Sequence, residues 1–217
     1  MFQTNFQGPL FTAFYSGGSN PLDNWLVQCK EGEMKQVLDD VVKSNVFQIQ
    51  SLNVNACCIT CPVDPKGSLG VRMPYLTLLL KNLRQYFTFE ITILDSEKIR
   101  RRVRLSNYHT VSKISTFMVT KPMCMDEGWN RVGLKLAEIV SDAFKTTYVE
   151  TVRIQVHANC RLKRIYFSSQ EYKEDELPNA YRMYKMAVVR EKPKRLPKKI
   201  AGPVDKKSTA VVEQAKT

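Results

Sequence analysis

The chain has only two histidines, His109 and His157, and its apolar residues never gather into a long run. With so little imidazole, a centre that pairs a nucleophile with a histidine base has few places to form, and neither histidine lies in a recognisable catalytic motif. A phosphate-binding loop is also missing. "GSLG" (67–70) lacks the Lys-Ser/Thr ending, and no G-x-G-x-x-G follows a strand pattern. The longest central apolar run, "YLTLLL" from Tyr75 to Leu80, is far short of the roughly 20 residues of a membrane span. The opening "MFQTNFQGPL" has neither a basic start nor a clean apolar core, so no secretory signal is expected. Internal repeats, heptads and βαβ alternation are absent as well.

Acidic residues are the minority charge: 21 Asp and Glu stand against 33 Lys and Arg, giving a net +12 and a pI near 9.5. A field of this sign favours a polyanionic partner, whether nucleic acid, an anionic membrane surface or an acidic protein polymer, and charge alone does not choose among them. The six cysteines, at 29, 57, 58, 61, 124 and 160, read as free thiols of a reducing cytosol, with a disulfide framework the weaker reading.

What is present is a domain's worth of apolar side chains. With 217 residues, 43% of them hydrophobic, and ten Phe and nine Tyr, the chain is long enough for one sizeable core. Composition changes near Met186. Residues 185–217 hold ten Lys/Arg against three Asp/Glu, three prolines and no aromatic residue. This segment reads as a basic, largely irregular tail, leaving 1–184 as the folded body.

Within the body, short stretches alternate apolar and polar residues. "YFTFEITIL" places Phe87, Phe89, Ile91 and Ile93 on one face. "RRVRLSNY" sets Val103 and Leu105 against Arg102 and Arg104. "TVRIQVH" sets Val152, Ile154 and Val156 against Arg153, Gln155 and His157. Turn signals such as "SGGSNP", "CPVDPKGSLG" and "LDSE" punctuate these runs. The pattern predicts an all-β antiparallel sandwich or barrel. In "VGLKLAEIVSDAFK", Leu136, Ile139, Val140 and Ala143 follow helical spacing, which predicts one short helix over about 131–145. "SQEYKEDELPNAYRMYKM" has room for a helical turn interrupted by Pro178.

Two constellations have chemical content. Cys58 and Cys61 form a CxxC, and His157 with Cys160 an HxxC; together they have the donor set of a Cys3His zinc site. Against this, Ile59 and Thr60 read as strand rather than as a knuckle turn, and free cysteines on strands remain the plainer reading. The second constellation is basic. "KIRRRVRL" and "RLKRIYF" set Arg100, Arg101, Arg102, Arg104, Arg161, Lys163 and Arg164 on or beside strands. They serve either as edge protection or as a docking surface for a carboxylate-rich protein, where arginine bonds two oxygens at once. Arg161, Lys163 and Arg164 are expected to face outward, with His157 and Cys160 shaping the turn "HANC". A nucleic-acid-binding β module is the alternative function, although no paired aromatic platform of RNA-binding sheets is visible. A carbohydrate-binding sandwich would want exposed aromatics, and the alternation turns most of them inward.

Five stretches together resemble one family. They are "YSGGSNPLDNW" (15–25), "ITCPVDPKGSLGVRMPYL" (59–76), "KNLRQYFTFEITILDSEKIRRRVRLSNY" (81–108), "PMCMDEGWN" (122–130) and "YVETVRIQVHANCRLKRIYFSSQEYKEDELP" (148–178). They are similar, over most of residues 1–184, to the cilia- and flagella-associated protein twenty family, also called the basal-body protein Bug twenty-two family. The resemblance implies a jelly-roll-like sandwich with one short helix and a structural, non-enzymatic role without a cofactor. It implies a cytoskeletal place in the axoneme of cilia and flagella, and at the basal body. The position implied is the inner junction, where the B-tubule wall closes onto the A-tubule of a doublet and supports motility. Tubulin protofilaments, the Parkin co-regulated protein and other inner-junction proteins would be the partners, with no membrane and no nucleic acid. Cys57 and Cys58 depart from the family pattern, which detaches the "CITC" half-site from it. The divergent N-terminal half fits a specialised paralog, such as one of sperm flagella, and the basic tail is longer than the pattern.

Overall fold

The alternation in "YFTFEITIL" is realised as a strand at the middle of one of two packed sheets. The computed structural model describes residues 8–184; the predicted basic tail lies outside them. In chain order the strands are β1 (Leu10–Tyr15), β2 (Leu26–Cys29), β3 (Glu33–Asp39), β4 (Ser44–Gln50), β5 (Cys57–Cys61), β6 (Tyr75–Asn82), β7 (Thr88–Asp95) and β8 (Arg100–Ser106). They continue as β9 (Lys113–Ile114), β10 (Met118–Pro122) and β11 (Gly128–Lys135), then helix α1 (Leu136–Phe144), β12 (Tyr148–His157) and β13 (Cys160–Ser168). The first sheet runs β11-β6-β13-β4-β3, and the second β2-β5-β12-β7-β8-β10-β9.

Between the sheets lies the main core. Phe87, Phe89, Ile91 and Ile93 are fully buried there, and meet Val103, Leu105, Ile154 and Val156 from neighbouring strands. The inward set predicted from alternation is thus the set that packs, each such side chain contributing about 1.5–3 kcal/mol by leaving water. Among the described residues all strand pairs are antiparallel but one: β10 runs parallel to β8, with Met118 opposite Arg102. Residues 107–117 carry the chain back along the sheet edge, a return that local alternation does not signal.

Helix α1 is shorter than its sequence signal. Residues 131–135, expected as its first turn, belong to β11 and pair with β6 residue for residue, from Gly128 opposite Asn82 to Lys135 opposite Tyr75. The helix starts where the Leu136 N–H donates to the Pro74 carbonyl at 2.8 Å. It ends where Lys145 turns left-handed, at φ 59°, and donates to Ser141. Leu136, Ile139 and Val140 are buried, as their spacing required. Among the described residues no helix is long and apolar enough to cross a membrane.

The cysteine expectation needs correcting. Cys29 and Cys57 form a disulfide, their Cα atoms 4.0 Å apart, because the β2–β5 register sets them directly opposite one another. Cys58, Cys61, Cys124 and Cys160 are free.

Strand β13 has two partners along one edge. Cys160–Leu162 pair with β4, and Arg164–Ser168 pair with β1, with a bulge at Lys163 between them. After β13, residues 169–184 return across the outer face of the first sheet. Leu177 and Met183 from this strap bury Leu79 and Tyr166 in a second, smaller core, with Trp129, Tyr172 and Tyr181 packed around it. The helical turn in the strap is a single 3-10 turn, Asn179–Tyr181, which follows Pro178.

Candidate functional site

On the second sheet the outer face is open and basic. Register aligns its side chains in rows that cross the strands. One row is Arg153 on β12, Thr92 on β7, Arg102 on β8 and Met118 on β10. The next is Gln155, Glu90, Arg104 and Thr120. Arg100 and Arg102 are exposed and Arg104 is one-third exposed. Glu90 accepts from Arg104 at 2.8 Å and lies 3.5 Å from Arg102. Beside the first row a cleft of about 440 Å³ opens between Arg153, Thr92, Arg100, Arg101, Arg102, Phe117 and Met118. His157 sits at the sheet's buried margin, its Nε2 3.8 Å from Glu90. Burial lowers its pKa; Glu90 opposes the shift and Arg104 adds to it.

Arg101 takes the other face of β8 and is not a surface group. It is 5% exposed. Its Nε donates to Asp95 at 2.8 Å, its Nη2 to Glu97 at 2.7 Å and its Nη1 to the Thr116 carbonyl. The guanidinium lies 5.0 Å from the Phe144 ring centroid. Asp95 also accepts from Thr146 Oγ1 and from the backbone N–H groups of Glu97 and Ile99. Burial works to raise the Asp95 pKa, but the Arg101 hydrogen bond and the others outweigh it and hold the carboxyl below its ordinary value.

Of the basic residues of β13, Arg161 lies on the face opposite the inward Leu162 as alternation predicts, and the bulge at Lys163 resets the register so that Arg164 also leaves the main core, yet two of the three do not reach solvent. Lys163 is 4% exposed and Arg164 6%. The strap covers them, so neither meets the prediction of an outward-facing contact. The Lys163 ammonium donates to the Arg182 and Met183 carbonyls. The Arg164 guanidinium donates to Thr12 Oγ1 at 2.8 Å and lies over the rings of Tyr15 and Tyr181, at 4.0 and 4.8 Å. Arg161 remains partly open and donates to Asp39 at 2.9 Å and Gln48 at 2.7 Å. Asp39 gathers Lys81 at 3.0 Å and the Trp129 indole at 3.1 Å as well. Burial pushes the Asp39 pKa upward, and the bonds from Lys81, Trp129 and Arg161 reverse this, holding the carboxyl far below the usual range.

The structure therefore brings Arg100, Arg102 and Arg104 together on one open face and separates Arg101, Arg161, Lys163 and Arg164 from them. Alternation placed Arg153 on the polar face of its own strand. Its arrival beside Arg102 depends on strand order. Phe117 and Met118 join the cleft only through the parallel pairing of β10.

The four residues of the supposed zinc site do not converge. Cys58 and His157 are cross-strand partners on the outer face, whereas Cys61 and Cys160 belong to the core. Among the described residues no group of three or more His, Cys, Asp or Glu is arranged to hold a metal. The turn "HANC" is closed by Cys160, whose thiol donates to the His157 carbonyl at 4.0 Å, as expected, and is anchored by Asn159, whose side chain accepts from the Ser51 N–H at 2.7 Å and donates to the Tyr86 carbonyl at 3.2 Å. Burial pushes the Cys61 thiol up to about 12 and the Cys160 thiol higher still. The reactive form is the thiolate, so iodoacetamide at pH 7.5 should modify exposed Cys124 while Cys61 and Cys160 react only after denaturation. Peptide mapping by mass spectrometry reads this, and rapid native alkylation of Cys160 would contradict the placement.

Comparison with known proteins matches residues 1–185 to the CFA20 domain. The protein named "Cilia- and flagella-associated protein 20" from Caenorhabditis briggsae is 45% identical over 184 residues, 85% of this chain and 91% of its own. The protein of the same name from Paramecium tetraurelia is 44% identical over 184 residues, 85% of this chain and 96% of its own. Among solved structures, an exo-beta-agarase aligns at 8% identity and a TM-score of 0.37, over 76% of this chain and 26% of its own; a likeness this distant carries no argument about activity.

Proposed function

The chain belongs to the CFA20 domain family, and we propose from this that it is a non-enzymatic structural component of the ciliary or flagellar axoneme. Its relatives' names associate them with cilia and flagella. The finer reading is a module of the inner junction of doublet microtubules, where it ties the B-tubule wall to the A-tubule and supports motility. Tubulin protofilaments, the Parkin co-regulated protein and other inner-junction proteins are its neighbours in this reading, and the basal body is a second location.

The family match across the body carries the reading; the open arginine face is the physical feature that accords with it. A +12 chain is steered toward acidic polymer surfaces, and Arg100 and Arg102 present positive charge on an open sheet face. Single exposed ion pairs are worth about 0–1 kcal/mol each. Firm attachment then arises from several weak contacts made at once along a filament, as multivalency provides.

A tagged full-length chain expressed in a ciliated cell tests this. Signal should run along the axoneme, survive detergent extraction of the membrane, and be released by roughly molar salt, where screening shortens to about 3 Å. Diffuse or nuclear signal beside bare axonemes would overturn the reading, and the nuclear outcome would favour a nucleic-acid partner instead.

A further inference from the structure

We propose that the cleft on the second sheet, floored by Thr92 and bounded by Arg153, Arg102 and Phe117, docks an extended acidic segment of a partner protein that carries an apolar side chain among its carboxylates. The inference deepens the axonemal reading by naming what this face holds, and it rests on that reading in taking the partner to be a protein.

Register builds the cleft. Arg153, Thr92, Arg102 and Met118 stand in one row across four adjacent strands. Adjacent strands lie about 4.8 Å apart, so the two arginines are rooted about 10 Å from one another. Between them the row has only the short side chain of Thr92, which leaves the floor low. Phe117 closes one side. Its carbonyl accepts from the Arg102 N–H at 2.8 Å, which fixes the segment beside the arginine row, and the residue is 62% exposed. Arg100 lies two residues from Arg102 on the same face of β8, opposite Leu94 of β7, with an exposed side chain.

Charge selects the occupant. The Arg153 guanidinium donates to the backbone carbonyls of Pro62 and Asp64, contacts that orient it and leave its charge unneutralised. Glu90, one row away, is the nearby carboxylate; it bonds Arg104 at 2.8 Å and only approaches Arg102, at 3.5 Å. Arg100, Arg102 and Arg153 thus line the cleft with Glu90 as the carboxylate near them, while the charge of Arg101, which also lines it, is met by Asp95 and Glu97. Arg100 and Arg102 can each hold an incoming carboxylate through two parallel N–H bonds, while Arg153, whose two Nη groups already donate to the Pro62 and Asp64 carbonyls, adds its charge. The exposed Phe117 ring adds a demand that a bare polyanion does not meet: an apolar side chain that covers it and removes it from water. A strand of nucleic acid would call for successive aromatic platforms under successive bases, and the cleft offers one ring.

Fluorescence anisotropy with the full chain tests the proposal. The probes are fluorescein-labelled Glu-Glu-Phe-Glu-Glu, the same peptide with Ser for Phe, Lys-Lys-Phe-Lys-Lys, and a decameric oligouridylate. The first peptide should bind saturably and more tightly than the other three. R100E/R102E should weaken it at least about tenfold, and F117A by about threefold or more. K35E/R84E makes the same charge change away from the cleft and should alter binding by less than about twofold. Thermal melts report whether each variant folds; should R100E/R102E fail to fold, F117A at an exposed site decides. Absence of saturable peptide binding, equal weakening by K35E/R84E, or tighter binding of oligouridylate through the same arginines would each overturn the proposal. If the wild-type chain decorates axonemes but binds no acidic peptide, the cleft is wrong and the axonemal reading stands. Peptide binding without axonemal decoration has the opposite meaning.

Discussion

Replacing Asp95 with alanine is expected to destabilise the fold by about 2–4 kcal/mol, toward the lower part of what breaking a buried ion pair costs. For a domain of this size that corresponds to a melting temperature lower by roughly 4–16 °C. The carboxylate is 1% exposed. It joins the Arg101 guanidinium to the β7–β8 turn, through the N–H groups of Glu97 and Ile99, and to the end of α1, through Thr146. Without it Arg101 keeps Glu97, which is 57% exposed, and the Thr116 carbonyl, so the buried cation is not wholly abandoned. This is why the upper limit is not reached. The cost belongs to the unpaired partner rather than to the pair, so D95L/R101M should recover much of the loss. Urea melts of the two variants test this. A loss below about 0.5 kcal/mol for Asp95→Ala would mean that water reaches Arg101 and that the pair is a surface feature.

Much of the main core was legible in the sequence, because a strand's two-residue period is written locally. Phe87, Phe89, Ile91, Ile93, Val103, Leu105, Ile154 and Val156 all turn inward where alternation puts them, while Val152, at the bulge between Thr151 and Arg153, is buried outside the main core cluster. The helix was legible in kind but not in its start. Gly128–Lys135 carry too few inward apolar residues to announce a strand, and their partner β6 lies some 50 residues earlier in the chain. What stayed hidden depends on which strands become neighbours. The parallel β8–β10 pair and the opposition of Cys29 to Cys57 have no local signature.

The basic residues show the same division. Alternation distinguishes the core face from the other face, and it did so correctly for Arg102 and Arg104, whereas Arg164 leaves the core face through the bulge at Lys163. It does not reveal whether the other face is left to solvent. On the second sheet it is, and Arg100 and Arg102 remain available to a partner. Under the strap on the first sheet, the same residue types become internal donors to carbonyls and rings, and Lys163 and Arg164 serve the fold. Their charge tells little about partners once their bonds are satisfied at home.

Asp39 supplies the second large expected effect, and with it a pH dependence. This carboxylate, 1% exposed, ties the end of β3 to three other strands of the first sheet through Lys81, Trp129 and Arg161, and accepts from the Val41 N–H at 3.0 Å. Asp39→Asn should cost about 2–3 kcal/mol at pH 7, because an amide keeps the shape but loses the charge that makes these bonds strong. The folded pKa lies below the unfolded value of about 3.9. The stability it contributes is therefore complete above that unfolded value and is lost as pH falls toward the folded one. The difference between wild type and Asp39→Asn should accordingly stay level from pH 7 to about pH 5, then narrow below about pH 4. The depressed Asp95 acts in the same direction in both proteins and cancels from the difference. Guanidinium melts followed by circular dichroism at pH 7, 5, 4 and 3 measure the gap, and Trp129 fluorescence reports the site itself. A gap of constant size down to pH 3 would show that Asp39 gains nothing from its cations, leaving its contribution to neutral hydrogen bonds and packing alone.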